Sequence, residues 1–413
     1  MLSNQEYKFL NKLINKLNVK EKVIEGYPLL ENAFTKEDIL SGIEVLLSRQ
    51  LTMSEITYKF EKYFAKFIGS KYALMVNSGS SANLLASFAL INPKKKNRVK
   101  SGDSFLIPAL CWSTSLWPLV QCGLKPVFID INNKNFCLDD QRIDNKILNK
   151  VRVILTIHIL GNSSNIMKIS KIAKKKEIFL IEDTCESLGS KYGSKYLGTF
   201  GDFGTYSFYY SHQITSGEGG MIVCNSKEDY NIICSLRSHG WDRMPGQKKK
   251  THHSSFNFIN SGFNVRPMDV NAAIGYSQFK RLNNLIKIRS KNRLKIIKKL
   301  ENSHKWDNQF EFFYSNTNVK PSFFGFPILI NKKYLKRKKI FLKMLNSKKI
   351  ETRPIISGNF LNQPCTKLYK FGYKKENFTN AQEVEDRGFF IGIPSKPLSE
   401  SKLDYLVENL LNI

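Results

Sequence analysis

The sequence predicts an α/β protein, with a large, mostly parallel sheet domain followed by a small C-terminal α+β domain. Three observations carry the prediction. From residue 72 onward short β-branched or aromatic runs, "YALMV", "SFLIP", "KPVFIDI", "RVILTIHIL" and "EIFLIED", alternate with helix-like segments, the rhythm of βα units. That rhythm ends at residues 262–300, where "MDVNAAIGYSQFKRLNNLIKIRSKNRLKIIKKL" is apolar at helical spacing and long enough to bridge two domains. Beyond it, "SFFGFPILI" and "KKIETRPII" read as strands around a helical stretch at 332–347. The boundaries that follow are an extension at 1–25, a large domain at 26–285 and a small domain at 286–413.

Taken in chain order, the N-terminal "MLSNQEYKFLNKLINKLNVKEK" mixes lysine and glutamate into its apolar residues, unlike a secretory signal, so a cytoplasmic location is expected. The first strand runs into "NSGSSANLLASFAL", a Ser/Gly turn opening a helix. Amides at such a helix start point outward and favour a phosphate, and Ser78, Ser80 and Ser81 add hydroxyls; an ordinary helix cap reads equally well from this segment alone. "PALCWSTSLWPL" places Trp112 and Trp117 just past the second strand, where an indole can stack on a planar ring or fill the core. "IFLIEDTCESLGS" ends an apolar strand on Glu182 and Asp183, at the edge where parallel sheets bind ligands. Asp183 is there either to hold a protonated ring nitrogen or to cap a helix, and Glu186 is expected one turn along that helix. "YSFYYSHQITSGEGGMIVCN" reads as two short strands around a polar, glycine-rich turn that carries His212.

Composition bounds the rest. The 413 residues are 42% hydrophobic, and no run of about eighteen apolar residues suggests a membrane span. The seven cysteines form no C-x-x-C pair and are expected to be free thiols. The net charge of +29 sits in lysine runs dispersed along the chain, which reads as a solvated surface more than as a nucleic-acid site. Such a surface still attracts phosphorylated substrates.

Seven segments in this order, "NSGSSANLL", "WSTSLWPL", "EDTCESLG", "SFYYSHQITSGEGG", "SHGWDRMP", "GFNVRP" and "TRPIISGNF", resemble the sugar aminotransferase family of fold-type I pyridoxal-phosphate enzymes, from about Tyr27 to the C-terminus. Within it the chain is similar to the branch in which histidine replaces the lysine that bonds covalently to the cofactor. The resemblance implies a 3-dehydratase of a nucleotide-linked 4-keto-6-deoxy sugar, with GDP as the preferred nucleotide, in deoxysugar and O-antigen-type polysaccharide synthesis. Pyridoxal phosphate and pyridoxamine phosphate would be held non-covalently, and L-glutamate would restore the amine form.

By the same resemblance, Gly79 and Ser80 supply amides to the cofactor phosphate and Ser207 adds its hydroxyl. Trp112 stacks on the ring, Asp183 pairs with the ring nitrogen, and Glu186 lies near the ring hydroxyl. Asn264 reaches the phosphate of a second subunit, which implies a homodimer with shared sites and no nucleic-acid or membrane partner. His212 is the catalytic base, since an imidazole with an ordinary pKa of about 6.5 accepts protons at neutral pH. Arg266 or Arg353 clamps the glutamate carboxylate or the sugar pyrophosphate, and His239 approaches the site. His158 reads more as a satisfied strand-end histidine.

A further His-for-Lys branch carries a cysteine-ligated iron–sulfur cluster after the "HGW" segment. Here "DRMPGQKKKTHHSSFNFINSGF" has no cysteine, so neither that cluster nor a metal at His252 and His253 is expected. An ordinary transaminase would need a lysine near the loop, and the nearest downstream is Lys227. A non-catalytic relative remains the alternative from another class.

Overall fold

The structure, a computed structural model, describes residues 3–16, 25–31, 34–242, 256–313, 315 and 317–413. His252 and His253 lie outside the described residues. The strands are β1 Tyr72–Val76, β2 Ser104–Pro108, β3 Lys125–Ile129, β4 Val151–Ile157 and β5 Phe179–Asp183, a short hairpin of β6 Lys191–Tyr192 and β7 Lys195–Tyr196, then β8 Phe203–Ser207 and β9 Gly220–Cys224. The C-terminal part adds β10 Phe310–Phe312, β11 Val319–Lys320, β12 Phe326–Ile330, β13 Thr352–Arg353 and β14 Gly388–Ile391.

The large sheet has the order β1-β9-β8-β5-β4-β2-β3. Only β9 runs against its neighbours, pairing antiparallel with both β1 and β8, so the sheet is mostly parallel, as expected. Alternate residues serve two layers: Leu74, Val76 and Ile222 pack to one side, and Ala73, Met75, Met221 and Val223 to the other. A sheet buried on both faces needs apolar residues at every position, which is why its strands read as unbroken apolar runs.

The reversed β9 has a direct consequence for function. It begins at Gly220, opposite both Val76 at the end of β1 and Ser207 at the end of β8. The outgoing ends of β1 and β8 therefore flank one residue that has no side chain. A Cβ on Gly220 would lie 2.3 Å from the Ser78 carbonyl oxygen, so only glycine lets the turn after β1 close over it.

The second sheet is antiparallel, in the order β10-β12-β14-β13. Between the two sheets runs the helix Leu282–Glu301, whose buried face carries Leu282, Leu285, Arg289, Asn292, Arg293, Ile296 and Leu300. The boundary expected near residue 285 falls inside this helix. Residues 25–31 turn to the C-terminal part: Tyr27 bridges Ile350, and its hydroxyl donates to the Gly392 carbonyl at 3.1 Å. Among the described residues no helix is long and apolar enough to cross a membrane.

Candidate functional site

Asp183 closes β5 at the carboxyl edge of the sheet, level with Thr205 of β8. Its Oδ2 accepts from Asn83 Nδ2 at 2.8 Å and from Ser115 Oγ at 2.7 Å, and its Oδ1 from the Cys185 amide at 3.2 Å. Thr205 Oγ1 in turn donates to Asn83 Oδ1 at 2.6 Å. A strand, two helices and a turn thus fix one buried carboxylate, and no helix follows it to be capped.

Its neighbour Glu182 does structural work instead. It accepts from the amides of Gly198, Phe200 and Gly201 at 2.9, 2.6 and 2.8 Å, and lies 3.0 Å from His158 Nε2. His158 is fully buried in that pair, but its Nδ1 has no hydrogen-bond partner among the described residues, so the fully satisfied histidine that the sequence suggested is not what the structure shows.

Glu186 departs from expectation. Residues 184–190 form turns rather than a helix, because Ser187 and Ser190 spend their hydroxyls on the His158 and Gly161 carbonyls and Gly189 sits at φ 87°, both unfavourable to helix. Among the described residues, the Glu186 carboxylate accepts only the Leu160 amide, at Oε2 and 3.1 Å. Burial, against that one amide and with Asp183 nearby, pushes its carboxyl up to about 8.

The turn after β1 opens the helix Gly79–Leu90, with Ser78 as N-cap, its side chain accepting from the Ser81 amide. The Gly79 and Ser80 amides are left facing out of the helix start, where its dipole favours an anion. A Cβ on Gly79 would meet Ser207 Cβ at 2.6 Å and Ser207 Oγ at 3.1 Å, so the end of β8 packs directly against the helix start and brings the Ser207 hydroxyl beside it. Ser80 Oγ donates to Thr114 Oγ1 at 2.9 Å, on the helix Ser113–Gln121 that begins just after Trp112. The Trp112 indole is 56% exposed, whereas Trp117 packs in the core against Phe360 and Tyr369.

His212 lies on the loop between β8 and β9. Its ring stands edge-on to Phe324 with centroids 4.9 Å apart, and to Tyr209 at 6.1 Å. Nδ1 is enclosed and has no hydrogen-bond partner among the described residues. Burial, and behind it the Arg289 guanidinium, pulls the imidazole down to about 3, well below the ordinary value of about 6.5 expected from the sequence, so it is neutral near pH 7 but a weaker base than expected. Lys227 offers no amine here: its Nζ sits over the rings of Tyr72 and Tyr230 at 5.3 and 5.0 Å, at the opposite end of β1 from Gly79.

A second group borders the turn after β1. Val265 O accepts from the Asn77 amide at 3.1 Å, Asn264 bridges Ser238, and Arg266 Nε donates to Asn264 Oδ1 at 3.0 Å. The Arg266 guanidinium also lies over Trp241, 5.9 Å from the ring centroid, and the His239 ring meets the same indole tilted at 50°, with centroids 5.2 Å apart. Asn264 is exposed. Arg353, exposed on β13, joins neither group directly, but Ser357, four residues on, donates to the Cys111 carbonyl at 2.6 Å, beside Trp112.

Sequence reasoning missed Asn83, Ser115, Gln213 and Arg289. The signal for Asn83 was a lone amide in a helix otherwise buried through Ala82, Leu85, Ala86 and Ala89.

This geometry fits pyridoxal phosphate. A cradle that a single Cβ would fill suits its phosphate, a fixed strand-end carboxylate its ring nitrogen, and an exposed indole its ring face. The comparisons agree. The profile of the DegT/DnrJ/EryC1/StrS aminotransferase family matches residues 32–411. GDP-4-keto-6-deoxy-D-mannose 3-dehydratase of Escherichia coli O55:H7 is 39% identical over 394 residues, covering 93% of this chain and 99% of that protein. The E. coli enzyme of that name with bound hydrated PLP superposes with a TM-score of 0.84 at 36% identity, over 94% of this chain and 100% of that one. A structure of that dehydratase with PLP and glutamate trapped together gives 0.83 at 36%, over 93% and 100%. The chain therefore belongs to the DegT/DnrJ/EryC1/StrS aminotransferase family, on the fold of the pyridoxal-phosphate-dependent aminotransferases.

Proposed function

We propose that this protein is a pyridoxal-phosphate-dependent 3-dehydratase of GDP-4-keto-6-deoxy-D-mannose, using L-glutamate as amino donor, and that it works in the cytoplasm as a homodimer. The observation that carries the reading is His212: an unpaired, neutral imidazole on the β8–β9 loop, where a lysine would bond the cofactor, in a site otherwise complete. Gly79, Ser80 and Ser207 would hold the phosphate, Trp112 would cover the ring, Asp183 would pair with the ring nitrogen and Glu186 would lie near the ring hydroxyl. Asn264, exposed beside the phosphate turn, would reach the site of the second subunit. When bound in its amine form the cofactor supplies an electron sink at the sugar C4.

The chain's own residues do the rest. Asp183, fixed by Asn83, Ser115 and the Cys185 amide, keeps the ring nitrogen protonated. His212 takes a proton as the C3 hydroxyl leaves, at Nε2, since Nδ1 is enclosed. Imidazole makes no stable covalent bond to an aldehyde, so the base stays free to act in both half-reactions. Arg266 and Arg353 are the cations for the glutamate carboxylate and the sugar pyrophosphate, and His239 borders the same outer group.

The test separates binding from turnover. His212→Asn should bind pyridoxamine phosphate with an affinity near that of the parent, because the phosphate and ring contacts lie elsewhere. Its dehydration rate should fall about a hundredfold to ten-thousandfold. Near-normal dehydration by this variant would remove His212 from the role.

A further inference from the structure

Arg289 is a buried cation that the chemistry above does not use. It lies on the inward face of the helix Leu282–Glu301 and is 1% exposed. Its Nη1 donates to the carbonyls of Phe323 and Phe324 at 3.2 and 2.9 Å, and its Nε and Nη2 to Ser395 Oγ at 3.3 and 3.2 Å. All of these acceptors are neutral, and no carboxylate pairs with Arg289 among the described residues. Burying an unpaired charge is costly, and burial pulls this guanidinium down to about 10. A neutral side chain could have held the helix to the 322–324 segment at lower cost, so the charge calls for another explanation.

That segment is the wall of the His212 loop. Phe324 presents its ring edge-on to the imidazole. Gln213, next to His212, ties the wall from the other side by donating to the Ser322 carbonyl at 3.1 Å and the Glu186 carbonyl at 2.6 Å. The Ser322 amide donates to Ser190 Oγ at 2.8 Å. After burial, Arg289 is the charged group that bears on the imidazole; Tyr209, Tyr210 and Glu218 are the titratable side chains on the loop itself, of which Tyr209 meets the ring, while Gln213 contacts Glu186 only at its backbone carbonyl.

We propose that Arg289 is a positioning residue for His212: its fork holds the Phe323–Phe324 backbone and so fixes the Phe324 ring against the imidazole, with its unpaired charge standing behind that wall. The inference rests on the proposed role of His212 as base. With its donors spent on the Phe323 and Phe324 carbonyls and on Ser395, Arg289 acts through the wall it holds.

Three variants test this on the cofactor-free protein and on the loaded enzyme. Histidine ring titration by NMR, with the His212 signal assigned by its loss in His212→Asn, gives a readout independent of turnover. In the parent the ring should stay neutral down to the acid limit of folding. In Arg289→Gln its midpoint should rise by about one unit or more, and the acid limb of the rate profile should move with it. Arg289→Lys, which keeps the charge but not the fork, should leave the midpoint near that of the parent and lower kcat about tenfold with KM little changed. Phe324→Leu keeps the charge and frees the ring: it should lower kcat without moving the midpoint.

An unmoved His212 midpoint in folded Arg289→Gln overturns the electrostatic half. Full kcat in both Arg289→Lys and Phe324→Leu overturns the positioning half. Should Arg289→Gln fail to fold, the other two variants still decide, because a merely structural Arg289 predicts equal losses of stability and rate with no split between kcat and KM. A moved midpoint in a protein without dehydratase activity would uphold the effect on His212 and sink the proposed reaction instead.

Discussion

At position 212 the choice between an amine and an imidazole decides whether the cofactor can be captured. Borohydride should leave the parent holoprotein unmodified by mass, while His212→Lys should yield a reduced pyridoxyl adduct at that residue, together with impaired 3-deoxygenation; an adduct on any lysine of the parent would contradict this. What was legible in the sequence was position on a single element, such as Asp183 at a strand end or Gly79 at a helix start. What holds Asp183 was not legible, because Asn83, Ser115 and Cys185 come from three segments. Glu186 was singled out by the resemblance, yet its geometry was misread: serine hydroxyls bonding to the backbone of the β4 end replaced the expected helix by turns.

Among the elements, the helix start at Gly79 is the most exacting. Gly79→Ala would push a methyl to within 2.6 Å of Ser207 Cβ and 3.0 Å of Cys185 Sγ, so either the turn or the end of β8 must move. We expect cofactor affinity to fall at least about tenfold, by fluorescence titration, from loss of charge-assisted hydrogen bonds to the phosphate, with the fold retained by circular dichroism. Beneath this turn, Arg237 on the helix Lys227–Arg237 donates to Glu61 at 2.7 Å and to the Met75 carbonyl at 2.8 Å, both side chains almost wholly buried. Burial outweighs the pairing at Glu61 and pushes its carboxyl up. Arg237→Leu strands that carboxyl and should cost about 3–5 kcal/mol in urea unfolding. The parallel strands were legible because full burial writes them as apolar runs. The direction of β9 was not, since hydrophobicity carries no sense of chain direction, and β10 and β14, three and four residues long, offered too few positions for a period.

For the whole molecule, two half-buried groups with large shifts contribute to the pH response of the cofactor-free protein. Glu186 is raised to about 8 from 4.5, so its contribution is full below the unfolded value and is lost as pH climbs to about 8. His212 is lowered to about 3 from 6.5, so the unfolded chain binds the extra proton in that window and stability falls as pH drops through it. The two oppose between 4.5 and 6.5, and stability should be greatest there; Glu186→Gln should abolish the alkaline decline in Tm up to a pH of about 8. The proposed shared sites make a separate claim. Mixing Asp183→Asn with Asn264→Ala should restore activity, because one site of each mixed dimer then carries neither change; no recovery despite proven subunit exchange would count against a shared site. The central claim, that an imidazole in place of an amine turns this fold from amination to deoxygenation, is tested most directly by the product. The protein should be incubated with GDP-4-keto-6-deoxy-D-mannose, pyridoxal phosphate and L-glutamate, and the nucleotide sugar analysed by mass and NMR. The account predicts a 4-keto sugar that has lost its C3 oxygen, with ammonia released and 2-oxoglutarate formed, whereas a C4 amino sugar with its C3 hydroxyl intact would contradict it.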